Sequence, residues 1–335
     1  MNSTATNSRL TRGYMIALAS AAILSTTAIF IRFLTQTYGL PALVLAFWRD
    51  GLVALTLLEV LGLFRRQLIR IMRRDVGFLA AYGLVLAIFN ALWTNSVAMN
   101  GAAVSTVLVY CSAAFTAILG RWFLKERLNW AKLLAICFCL GGCVLVAEAY
   151  HASAWRANLI GILTGVLSGL GYAIYSLLGR TAARRGLNPW TATLYSFAFA
   201  AVFLLIINLL AGGNLPGTVM RPADLFWLGS SISGWGVLML LAAGPTLTGF
   251  GLYNVSLNYL PSSVANLVVS FEPALTAVTA YFLFGERLTL IQIGGSLMIL
   301  AGVVILRLYE SEKNGTVAEK PKRISRLPSF DPKQK

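Results

Sequence analysis

Histidine is almost absent from this chain: His151 is its single copy, beside four cysteines and twelve acidic residues in 335. That scarcity excludes much chemistry. A serine or metal mechanism needs a buried imidazole or a cluster of ligands, and His151 falls in a predicted loop. Cys111, Cys137, Cys139 and Cys143 all lie in predicted helices, with neither metal-ligand spacing nor a loop framework for disulfides. Cys139 and Cys143 share a helix face, as small residues at helix contacts do. The GxxxxGK[ST] loop that cradles the phosphates of ATP is also missing. No cofactor is implied, and a membrane-embedded enzyme is disfavoured.

Charge is scarce too, at 12% of residues against 58% hydrophobic, which excludes ordinary soluble usage. What fills the space is a series of long apolar runs, at 14–34, 41–64, 76–98, 102–123, 130–149, 159–179, 189–211, 234–256, 262–284 and 289–308. Each has about the 20 residues that carry a helix across the hydrocarbon core. A β-barrel would show short alternating segments instead. The first run follows Arg9 and Arg12 and is too long for the apolar region of a signal peptide, so it reads as the first span. The chain is therefore expected to be an all-α integral membrane protein with ten transmembrane helices.

The net charge of +15 raises a nucleic-acid reading, which its distribution answers. With the N-terminus inside, Arg9, Arg12, the 65–74 group, the 121–132 group, Arg180, Arg184, Arg185 and the tail from Arg307 all fall on one side. Arg32, Arg156, Arg221 and Arg287 fall on the other, and Arg49 lies within a span. That asymmetry is the positive-inside bias, and it predicts a multi-pass protein of the cell membrane with both termini cytoplasmic. The lipid bilayer and a small-molecule substrate are the partners implied; nucleic acid is not, and a homodimer is left open. The tail beyond about residue 309 is rich in Lys, Glu, Pro and Ser and is expected to be disordered.

Two short motifs carry the organisation. Lys125-Glu126-Arg127-Leu128 and Gly285-Glu286-Arg287-Leu288 sit 160 residues apart, and nine of 36 positions are identical between 93–128 and 253–288. Earlier in each half the offset is 148, pairing Arg32 with Arg180 and Pro41 with Pro189. The difference fits extra residues in the 212–233 linker, where Asp224 to Leu228 reads as an interfacial helical turn. Each half then holds five spans, and an odd number makes the halves antiparallel. The expected organisation is a cytoplasmic tail (1–13), a first five-helix repeat (14–149), an outer linker (150–158), a second repeat (159–308) and a basic tail (309–335), with a central cavity between the inverted repeats.

These two five-helix halves, the paired Glu-Arg-Leu hairpins and the Phe271-Glu272-Pro273 turn resemble the EamA branch of the drug/metabolite transporter superfamily. The resemblance covers residues of about 14–308 and departs in one place, where the first half has Ser112-Ala113 opposite Glu272-Pro273. It implies a secondary transporter that exports small metabolites or amino acids through a cavity between the repeats. Nucleotide-sugar or other organic-anion exchange in the same superfamily is the alternative, and a channel is disfavoured.

Candidate cavity residues follow from helical spacing. Asn90, Trp93 and Thr94 share a face of the third span, and the repeat offset carries them onto Phe250, Tyr253 and Asn254. Tyr172, Tyr175 and Ser176 form a similar strip in the sixth span. Intramembrane charge is costly, which singles out Arg49 and Glu272. Either both face a watery cavity, Arg49 binding a substrate carboxylate and Glu272 taking up a proton or balancing an amine, or they form a fixed pair that locks two helices. The side chain of Asp50, beside Arg49, points to a different side of the helix, so no pairing between these two is required. Gly244, Pro245 and Pro273 are candidate hinges. Glu126 and Glu286 are expected to cap the helix that follows each hairpin. For substrate, the aromatics suit cationic or aromatic solutes, whereas Arg49 with Glu272 suits a zwitterion such as an amino acid.

Overall fold

Backbone amides in hydrocarbon must find their partners within the chain, and here they do so as helix; no strand occurs among the described residues. The computed structural model describes residues 2–112, 114–116, 118–119, 130–146, 152–260, 265, 268–269, 271–298, 300–302 and 304–305, and within them the side chains of all but residues 2–10, 131–132, 135–136, 139–140, 143, 146 and 152–157. The first hairpin (Lys125 to Leu128), Ala113, Glu148, His151 and the C-terminal tail lie outside the described residues, as do the side chains of Cys139 and Cys143.

In chain order the helices are α1 (Asn2–Leu24), α2 (Thr27–Thr37), α3 (Ala42–Phe64), α4 (Arg73–Asn100), α5 (Ala102–Val109), α6 (Trp130–Val146), α7 (Ala152–Arg184), α8 (Pro189–Ala211), α9 (Ile232–Leu241), α10 (Leu247–Tyr259) and α11 (Glu272–Phe284). A further apolar helix, α12, covers Leu290–Gly302. Five stretches are long and apolar enough to cross a membrane: Thr11–Thr37, Arg73–Asn100, Asn158–Arg184, Pro189–Ala211 and Ile232–Tyr259. Helix α3 has comparable length, 23 residues, but carries Arg49, Asp50 and Glu59. The other expected spans correspond to shorter helices or run over residues outside those described.

Local chemistry sets the element ends. Asn188 accepts a hydrogen bond from the Trp190 amide at 3.0 Å and Pro189 opens α8, a helix start that needs no proline N–H. Pro273 likewise stands in the first turn of α11. Pro245 is different. It sits inside a π-helical turn, Ala242–Thr246, that joins α9 to α10 within one span, where its missing N–H breaks the regular ladder. The linker carries a 3₁₀ turn, Pro222–Phe226, whose Phe226 ring meets Trp48 edge-on.

The burial pattern is inverted relative to a soluble protein. Leu63, Phe64, Leu210, Ile232 and Phe282 are exposed, whereas Arg49, Asp50, Asn90, Asn254 and Glu272 are buried. Apolar outside and polar inside is what a lipid solvent selects. The helices also pack reciprocally. Helix α4 packs on α7, and α10 on α1; α5 packs on α7, and α11 on α1 and α2; α4 packs on α8, and α9 with the π turn packs on α3. The pairs α3 with α8 and α5 with α11 complete the set. Exchanging α1–α2, α3, α4 and α5 for α7, α8, α9–α10 and α11 therefore turns these contacts into one another. Arg32 and Arg180 obey the same exchange, each donating to a carbonyl near the C-terminal end of the opposite helix, Ala98 in α4 and Leu257 in α10.

Candidate functional site

Where α1, α2, α4, α5, α7, α10 and α11 converge, they form a partly open cavity of about 30 Å³. Its walls are Leu24 at the end of α1, Thr27 at the start of α2, Phe89 and Trp93 from α4, Val109 and Tyr110 from the end of α5, Tyr172 from α7, Phe250 from α10, and Glu272 at the start of α11. Such a volume holds about two water molecules. Any organic solute therefore needs the surrounding helices to separate.

The i, i+4 spacing of Phe89 and Trp93 sets both rings on one face of α4, with centroids 6.3 Å apart. Tyr172 lies 5.4 Å and Phe250 6.4 Å from the Phe89 ring, so Phe89 is the centre of an aromatic wall built from three helices. Glu272 faces this wall. Its Oε2 accepts a hydrogen bond from the Tyr110 hydroxyl at 2.9 Å, and that hydroxyl also reaches the Val269 carbonyl at 2.7 Å.

A second polar centre lies behind Trp93. Arg49 Nε sits 3.1 Å from Asp50 Oδ1, and both side chains are fully buried. Asn90 Nδ2 donates to Asp50 Oδ2 at 2.7 Å, and the Arg49 guanidinium lies over the Trp93 ring, 5.9 Å from its centroid. Both Arg49 Nη atoms and the Asn90 Oδ1 are buried without a hydrogen-bond partner. The partner of Arg49 is thus its sequence neighbour. Glu272 is held instead by Tyr110, and the two charges proposed to meet are engaged separately.

Residues of the candidate set divide accordingly. Trp93, Tyr172 and Glu272 line the cavity. Thr94 is buried on α4, with no hydrogen-bond partner for its hydroxyl. Tyr175, Tyr253 and Asn254 form a bonded cluster behind the wall: Asn254 donates to the Tyr175 hydroxyl at 3.0 Å and to Thr193 at 2.9 Å. Tyr82 donates to Asn254 at 3.2 Å, and Tyr253 to Ser176 at 2.8 Å. Gly244 and Pro245 lie in the π turn that joins α9 to α10. Tyr110 was not legible as a site residue, because it follows the short helix α5 and has no charged or repeated motif around it. Among the described residues, no three His, Cys, Asp or Glu side chains come together to hold a metal.

One end of the bundle carries a further contact between the halves, and it corrects the expected capping role. Glu286 caps α5 in the other half, its two oxygens accepting from the amides of Ala102 at 3.2 Å and Ala103 at 3.1 Å. Arg32 Nε stands 3.4 Å from the same carboxylate. The left-handed Gly285 (φ 66°) turns the chain after α11 and leads into Glu286; Gly101 (φ 86°) leaves no Cβ in the space the carboxylate occupies. The following helix, α12, is capped by Thr289 and Gln292, which bond each other's amides reciprocally at 3.2 and 3.0 Å.

The profile of the EamA-like transporter family matches residues 11–147 and 159–308. An uncharacterized transporter of Archaeoglobus fulgidus is 31% identical over 236 residues, 69% of this chain and 78% of that protein. The S-adenosylmethionine uptake transporter of Rickettsia bellii is 23% identical over 270 residues, 80% of this chain and 84% of its own. A protein of known crystal structure superposes with a TM-score of 0.59 at 15% identity, covering 89% of this chain and 98% of its own, which speaks to fold alone. The duplicated match, the helical membrane architecture and the transporter relatives agree: this chain is a member of the EamA-like transporter family.

Proposed function

We propose that the chain is a secondary transporter of ten membrane helices in two inverted five-helix repeats, exporting small metabolites or amino acids across the cell membrane by alternating access. The observation that carries this reading is the cavity with one carboxylate, Glu272, at the junction of both halves. The reciprocal helix packing supports two halves that rock about it. Both termini lie in the cytoplasm on this reading, and Glu272 is the coupling group that exchanges a proton for solute. The relative named for S-adenosylmethionine supports a solute with a cationic centre. Purified protein in liposomes, assayed for solute flux with and without a pH gradient, tests the proposal. Flux accelerated by the gradient is expected; flux proceeding at channel rates without saturation overturns it.

Alternating access requires the contacts at each end to break in turn. The Glu286 cap on α5, with Arg32 beside it, closes the outer end in this reading. Glu286→Ala removes two charge-assisted hydrogen bonds and is expected to shift the protein outward-open. The measurement is labelling of a cysteine introduced at Thr27, in the cavity wall, by a membrane-impermeant thiol reagent. A rise of about tenfold or more corresponds to the loss of bonds worth about 1.5 kcal/mol. Unchanged labelling removes the gating role.

A further inference from the structure

Resting on the transporter reading above, we infer that the solute of this cavity is a monovalent organic cation with a flat aromatic body, an arylalkyl amine in chemical class. Its ammonium sits on the Glu272 carboxylate and its ring lies within the wall formed by Phe89, Trp93, Tyr172 and Phe250. Four observations lead there. The cavity wall carries one carboxylate and no cationic side chain. Glu272 is held by a neutral hydroxyl, that of Tyr110, so its charge has no counter-ion among its described contacts. Arg49 is buried against the Trp93 ring without itself lining the cavity, and Asp50 at 3.1 Å already balances it. The remaining wall is aromatic and aliphatic.

Charge decides among solute classes. An organic anion in this cavity meets the Glu272 carboxylate in a low-dielectric interior with no cation to offset it. A zwitterion gains at its ammonium and loses at its carboxylate, because the Arg49–Asp50 pair presents no net positive charge. An amine gains at both ends, from the carboxylate and from the faces of the rings, whose quadrupoles attract cations. Of the two solute classes that the sequence left open, these contacts favour the cation over a zwitterion bound between Arg49 and Glu272.

Three solutes with the same phenyl group and similar length separate these classes: phenethylamine, phenylalanine and 3-phenylpropanoate. Equilibrium binding to the full-length protein in lipid nanodiscs at neutral pH is expected to follow that order, with phenethylamine about 30-fold tighter than phenylpropanoate. Glu272→Gln should abolish this preference, and Phe89→Leu should weaken the amine about fivefold. Glu272→Asp keeps the charge and should retain the order, which separates loss of charge from loss of folding; unaltered thermal unfolding of each variant confirms the fold. Equal or tighter binding of phenylalanine or phenylpropanoate overturns the inference, and so does absence of phenethylamine binding. Flux in liposomes is read separately. Binding in the expected order without flux sinks the transporter reading and leaves the solute class standing; flux of the acid or zwitterion in preference to the amine does the reverse.

Discussion

Replacing Glu272 by glutamine is expected to uncouple flux from the pH gradient while leaving the fold intact. Glutamine fills the same volume, and its amide oxygen still accepts from the Tyr110 hydroxyl, which now lies 2.9 Å from Oε2. What disappears is the one carboxylate of the cavity wall, which on the proposed reading takes up the proton. Losing one partner of a buried charge pair costs about 2 kcal/mol or more, so affinity for a cationic solute should fall at least about 30-fold. Flux measured across a series of pH values should become flat in the variant. A pH profile that matches the unaltered protein would remove Glu272 from the coupling step.

The second large effect concerns stability. Asp50 is the buried counter-charge of Arg49 and also accepts from Asn90 at 2.7 Å. Asp50→Ala strands a guanidinium whose Nη atoms already lack partners, and orphans the Asn90 amide as well. The expected loss is about 3–5 kcal/mol of unfolding free energy. The double variant Arg49→Met with Asp50→Leu removes both charges and should recover most of that loss, because apolar side chains of similar size commonly replace a buried pair at little cost. Reversible unfolding in mixed detergent and lipid micelles measures all three proteins. A double variant as unstable as Asp50→Ala would show that the two residues act separately. Since Arg49 lies over Trp93, flux in the double variant also reports whether this pair merely supports the cavity wall.

Parts of this site were legible before any coordinates. Arg49 and Glu272 stand out in the sequence because charge in a span is costly and therefore rare. Trp93 and Tyr172 follow from helical spacing, and both line the cavity. The pairing was not legible. Consecutive residues on a helix point about 100° apart, so the sequence did not require an Arg49–Asp50 bond; the long arginine side chain bridges that angle and reaches Oδ1 at 3.1 Å. Tyr175, Tyr253 and Asn254 carry the same spacing signal as Trp93 yet belong to a bonded cluster behind the wall. Glu286 was assigned to the next helix because a carboxylate near an N-terminus is the usual local solution. The positive φ of Gly285 leads it instead to α5, which is near in space and 184 residues away from Glu286 at Ala102.

The division has a physical basis. Hydropathy, helix length and the sign of loop charge are sums over neighbouring residues, so the chain by itself determines a helical membrane protein built on a duplicated unit. Which rotamer a charged side chain takes, and which group on another helix holds it, depends on distances of a few ångströms set by packing, and local sums contain no such distances. Only the packing of α3, α4, α5, α7, α10 and α11 decided that Asn90 braces the Arg49–Asp50 pair, that Tyr110 holds Glu272, and that Glu272 faces the rings.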